Sequence, residues 1–149
     1  DSIFPDSLKF KTKKGRTVFG GGGINPDIII KRDTSINYKI INEIIINGWI
    51  RDFSMKYSDL NRKKTSAIIN SSEYLKQIEE IIYKQFINHI KLKDNNFNNK
   101  LNQKEEDFIK RQVIANISRN LWSNEDYYKV LIENDQYVNK ALEKLSIKF

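Results

Sequence analysis

The stretch from Phe10 to Asp27 reads Phe-Lys-Thr-Lys-Lys-Gly-Arg-Thr-Val-Phe-Gly-Gly-Gly-Gly-Ile-Asn-Pro-Asp. Leu8, Phe10 and Thr12 alternate with Lys9 and Lys11, the pattern of a strand with one buried face. Lys14-Gly15 is a turn signal, after which Val18 and Phe19 resume an extended apolar run. Gly20 to Gly23 carry no side chains, so the backbone there is free to take positive φ or to approach another chain closely. Pro26 fixes its own φ and pushes Asn25 toward an extended conformation. Ile28, Ile29 and Ile30 then form a short continuous apolar run, as in a strand covered on both faces. Four glycines also suggest a phosphate loop. A dinucleotide fingerprint must open a helix, whereas Pro26 and an extended run follow here, and no Gly-Lys-Ser/Thr completes a Walker pattern.

Outward from this segment the pattern changes at Asp33-Thr34-Ser35, and helical periodicity holds almost to the end. Thr34 or Ser35 is expected to cap a first helix with Ile36, Ile40, Ile41, Ile44 and Ile45 on one face, ended by Asn47-Gly48. A second, short helix follows from Trp49, bearing Ile50, Phe53 and Tyr57. Ser71 or Ser72 caps a third, with Leu75, Ile78, Ile82 and Phe86 as its buried stripe, and Lys91 to Gln103 reads as an exposed loop. A fourth helix from about Lys104 carries Ile109, Val113, Ile117 and Leu121, and Leu121 with Trp122 is expected at the centre of the helical core. Ser123 to Asp126 caps a fifth helix bearing Tyr127, Tyr128 and Leu131. Asp135 caps the last, with Val138, Ala141, Leu142 and Leu145 facing inward. The expected fold is mainly α: a short β element of two or three strands over residues 1–33, then a helical domain over 34–149. No internal repeat is visible.

The composition limits the function classes. A 149-residue chain with 39% hydrophobic residues fits one domain, or the end of one plus a second small one, with a real core. Absence of cysteine excludes a disulfide scaffold, a cysteine-based metal site and a cysteine nucleophile. The longest apolar runs, such as Ile44 to Ile46, are too short for a membrane span. The net charge of +7 comes from 26 basic and 19 acidic residues, but the basic residues are mostly lysine and are spread along the chain. That distribution reads as a solvated surface, with no nucleic-acid patch expected.

Thr12, Gly15, Arg16, Gly23, Ile24, Pro26 and Asp27 resemble the segment that closes the protease core of the C-terminal processing peptidases (tail-specific proteases). There a strand ending in Thr leads to a Gly turn, and a Gly-Ile-x-Pro-Asp turn leads to a final strand. A second anchor lies about ninety residues on. Val113 to Trp122, then Tyr127-Tyr128 and Asp135 to Leu142, resemble the helical tail of processing peptidases of the Bacteroidetes type. Ser118 and Ser123 stand where that tail usually has Ala and Gly, both small-for-small changes. The resemblance implies that residues 1–33 end a serine-peptidase core whose Ser/Lys dyad lies upstream, and that the helical domain is its non-catalytic tail. Expected partners are the protease core and PDZ domain of the same parent, protein substrates of that parent, and a second copy as a homodimer. The implied location is periplasmic or cell-envelope. The rival expectation is a free-standing basic helical module that binds peptide or nucleic acid.

The residues offer no catalytic, cofactor or metal set of their own. Lys14 lacks the Gly-Lys-Gly context that the peptidase lysine requires. His89 is the single histidine and reads as a surface or half-buried residue. Glu79-Glu80 point in different directions on a helix, and Glu105-Glu106-Asp107 fall in a first helical turn, where negative charge favours the dipole. Trp49, Trp122, Tyr127 and Tyr128 are expected in the core, with Arg119 stacked on Trp122 or paired with an acid.

Overall fold

The computed structural model describes residues 6–20, 28–31, 33–68, 71–97 and 100–146. The chain divides into two compact units, Asp1–Arg32 and Asp33–Phe149.

The first unit holds a 3-10 turn, Asp6–Leu8, and an antiparallel hairpin of β1 (Lys9–Lys11) and β2 (Thr17–Phe19), with Phe10 opposite Val18. Gly15 takes the left-handed φ of 78° that the Lys14-Gly15 signal anticipates, and its N–H donates to Thr12 O at 2.8 Å. The expected buried face on β1 is not there, because Phe10 is exposed. Its ring instead lies over Gly20, where an added Cβ would come within 2.8 Å of it. Gly20 therefore serves close approach and not positive φ, which among the described glycines occurs only at Gly15 and Gly48. Since the ring tip of an exposed Phe can swing aside, alanine at Gly20 is expected to be mild. Gly21 to Asp27 lie outside the described residues. Ile28 to Ile30 form no strand, and Ile28 and Ile29 are exposed, so the third-strand expectation is corrected. An apolar triplet becomes a buried strand only where another strand pairs with it, and none does among the described residues.

The second unit contains α1 (Tyr38–Ile46), α2 (Trp49–Thr65), α3 (Ser71–Lys93), α4 (Gln103–Leu121), α5 (Asn124–Ile132) and α6 (Gln136–Ser146). Among the described residues the protein is mainly helical with one small two-stranded sheet. Asn37, not Thr34 or Ser35, caps α1 and accepts from Lys39 N at 3.1 Å. Asn47-Gly48 ends α1 as expected, with Gly48 at φ 68° turning the chain directly into α2. That helix is 17 residues long, not short. Small residues along it suit the contact with α4. Ser54 and Ser58 are buried one turn apart, and Ser58 Oγ returns to Ser54 O at 2.7 Å. On α4, Ser118 is buried and bonds Ile114 O at 2.9 Å, so the Ser58 and Ser118 hydroxyls are satisfied within their own helices, while Ser54 Oγ donates across to Val113 O of α4 at 3.5 Å. Leu75, Ile82 and Phe86 of α3 and Ile109, Val113 and Ile117 of α4 fill the centre, as their spacing requires. α3 runs on to Lys93, shortening the expected loop from its start.

Every residue that is fully buried lies between Ile41 and Ser118 among the described residues. Trp122 only packs against the edge of the core, which overturns its expected central place. On α6 the expected inward face is exposed: Ala141, Leu142 and Leu145 face solvent and Val138 is half-buried. Asp135 caps that helix as expected, accepting from Tyr137 N and Val138 N.

A candidate docking groove

Within the helical unit a groove of about 760 Å³ runs between α4, the α5–α6 junction and the segment before α1. Its apolar floor includes Ile36, Phe108, Val130 and Leu131. The α4 wall comes from Lys104, Asp107, Phe108 and Arg111, three or four residues apart and so on one helical face. Sequence reasoning missed this face because it follows the core stripe for the apolar positions; the i, i+3, i+4, i+7 spacing of the others was the available signal.

Two ion pairs cross the groove. Lys104 Nζ bonds Asp33 Oδ2 at 2.6 Å, and this contact with the Ser35 donors holds the Asp33 carboxyl well below the ordinary range. Lys76 of α3 pairs with Glu133 at the end of α5. The remaining charged lining residues are Glu79, Asp107 and Asp135 against Arg111, an acidic excess within a basic protein. Burial raises the Glu79 pKa.

The other candidates are scattered through the fold. His89 is half-buried against Phe53 (ring centroids 5.7 Å), with Nε2 3.1 Å from the Asp52 carboxylate, which Lys56 and Lys93 also approach. Glu80 reaches across to Lys110 of α4, which lies over the Tyr83 ring at 5.0 Å. Burial alone would lower the Lys110 pKa, but Glu80, with Glu79 and Asp107 behind it, holds it up. Glu105 belongs to a capping box with Asn102. Trp49 is a core residue with its ring edge-on to Phe97 at 5.8 Å. Arg119 stacks on Tyr127 at 4.8 Å, not on Trp122, and donates to Asn116 Oδ1. Tyr127 meets Tyr128 edge-on, and Tyr128 is exposed, against the expectation of core packing. Lys14 lies in the hairpin turn of the first unit. Among the described residues no group of three or more His, Asp or Glu is gathered as a metal site, and no helix is long and apolar enough to cross a membrane.

The profile of a family of unknown function, DUF8443, matches residues 40–123, more than half of the chain. The chain belongs to DUF8443. No curated protein and no solved structure matches it. The DUF8443 match covers α1 to α4 and ends at the Ser123 cap of α5, the same span that supplies every fully buried residue among those described. What the DUF8443 profile describes is thus the packed four-helix core, while α5, α6 and most of the groove's acidic end lie beyond it.

Proposed function

We propose that this chain is the C-terminal, non-catalytic part of a serine-type C-terminal processing peptidase, a hydrolase that cuts proteins near their C-termini. The carrying observation is the pair of sequence anchors, Gly23-Ile24-Asn25-Pro26-Asp27 and Asn120-Leu121-Trp122 followed by Tyr127-Tyr128, in the order and setting of that family's core-closing turn and helical tail. The division of the chain at Arg32/Asp33 into a hairpin-bearing unit and a helical unit fits such a tail. So does Ser118, buried where the tail usually has alanine, since only a small side chain suits that position. In this reading the Ser/Lys dyad and PDZ domain belong to the parent, and the helical unit packs on, gates or oligomerises the protease.

The test is to read the gene upstream of the Asp1 codon, express the full product and treat it with a serine-reactive fluorophosphonate. Labelling of an upstream serine next to a Gly-Lys-Gly lysine, with none on residues 1–149, is the expected result. An upstream frame without such a core overturns the proposal. The rival, a free basic module binding peptide or nucleic acid, rests on the net charge of +7 alone. Nucleic-acid binding by this chain that weakens steeply with added salt would support that rival instead.

A further inference from the structure

The least expected feature of the helical unit is α6. Tyr137, Val138, Ala141, Leu142 and Leu145 recur at three- and four-residue spacing, so they form one stripe. Tyr137, Leu142 and Leu145 are each more than half exposed and none of the other helices runs along α6, although Tyr137, at its start, borders the groove of its own copy. The small Ala141 at the stripe's centre lets the helix backbone come close to an opposing surface.

The same unit carries a complement. The groove has an apolar floor at Phe108, Val130 and Leu131 and an acidic excess at its rim. The stripe of α6 is flanked on its Tyr137 edge by Lys140 and Lys144, with Glu143 tied to Lys140 at 2.7 Å. Helix and groove thus match in polarity and are opposite in charge. Two α6 stripes paired antiparallel on each other would set these lysine edges against one another, and like charges there are unfavourable. The groove offers the exposed Asp107 carboxylate instead.

We propose that α6 of one copy seats its apolar stripe in the groove of a second copy, and reciprocally, so that the helical unit forms a two-fold dimer by mutual helix docking. Reciprocity matters for size. One helix of 11 residues is about 16 Å long, whereas a stable interface buries about 800 Å² per partner. Two helix-in-groove contacts double the engaged surface, and a two-fold arrangement closes the assembly without propagating into fibres. The proposal does not depend on the peptidase reading.

The test uses the whole chain. Sedimentation across micromolar to submillimolar concentrations is expected to show a reversible monomer–dimer equilibrium. Leu145→Lys and Asp107→Lys are each expected to weaken the dimer by roughly tenfold or more. Lys144→Glu combined with Asp107→Lys is expected to recover part of that loss. Asp107, Lys144 and Leu145 are all exposed, so helical circular dichroism is expected to stay unchanged. The chain has no cysteine, which makes cross-linking clean. A Leu145→Cys chain mixed with a Gln112→Cys chain is expected to give the mixed disulfide dimer. A monomer at every concentration overturns the proposal and leaves the α6 face to another protein. A dimer that is indifferent to Leu145→Lys, or that cross-links only Leu145→Cys to itself, also overturns it.

Discussion

The Glu105 carboxylate joins two helix starts: Oε1 accepts from Asn37 N at 2.7 Å, and Oε2 accepts from Asn102 N at 2.8 Å. The first bond spans 68 residues and ties the cap of α1 to the first turn of α4, with Glu105 itself buried. A carboxylate serves both donors because it has two acceptor oxygens and sits where the α4 dipole favours negative charge. Glu105→Ala leaves both N–H groups without their partners and is expected to cost about 1–3 kcal/mol for each that stays dry. Glu105→Gln keeps one acceptor and is expected to lose less. Urea denaturation of the three proteins checks the order, and equal stability of Glu105→Ala and the parent chain would remove the link.

Phe86 is completely buried and meets Phe53 edge-on at 5.4 Å, whereas Trp122 lies at the core's margin. Phe86→Ala is expected to cost about 3–5 kcal/mol, the usual range for a buried aromatic reduced to alanine. Trp122→Ala is expected to cost clearly less, despite the larger side chain. The two denaturation midpoints decide it, and a reversed order would put the core centre at the α4–α5 junction.

Tyr83 is buried, and its hydroxyl alone among the buried side-chain polar atoms described makes no hydrogen bond. Burial, with the Glu106 and Glu80 carboxylates nearby, pushes the phenol far above its ordinary value. Removing an unsatisfied hydroxyl relieves a desolvation cost, so Tyr83→Phe is expected to be neutral or stabilising. Thermal denaturation checks this. A loss of stability would mean that the phenol donates a hydrogen bond to the Glu106 carboxylate in solution.

Glu79 sits in the groove wall with its pKa raised, first by burial and then by Glu80 and Asp107. A folded state that holds its proton more tightly than the unfolded chain loses stability as pH climbs above the ordinary value of 4.5. Glu79→Gln is expected to remove that part of the decline and to match or exceed the parent at neutral pH. Melting temperatures measured from pH 4 to pH 8 test the sign. A variant less stable than the parent at neutral pH would show that Lys110 or Lys76 stabilises the Glu79 charge more than burial opposes it.

The helices, the Asn47-Gly48 break, the α3 stripe through Leu75 and Phe86, and the caps at Ser123 and Asp135 are local facts, legible because each rests on spacing or on one side chain's bond to nearby backbone. The groove was legible only as a polar face of α4, because its other wall comes from Asp33, Lys76 and Glu133, far away in the chain. Periodicity states which side chains share a face and is silent on whether anything covers it. By that rule α3, α4 and α6 look alike in sequence, yet α3 and α4 bury their stripes and α6 does not. The Ile28 to Ile30 run forms no strand and Trp122 lies at the core's margin for the same reason: burial requires a partner surface, and only the tertiary arrangement decides where one is supplied.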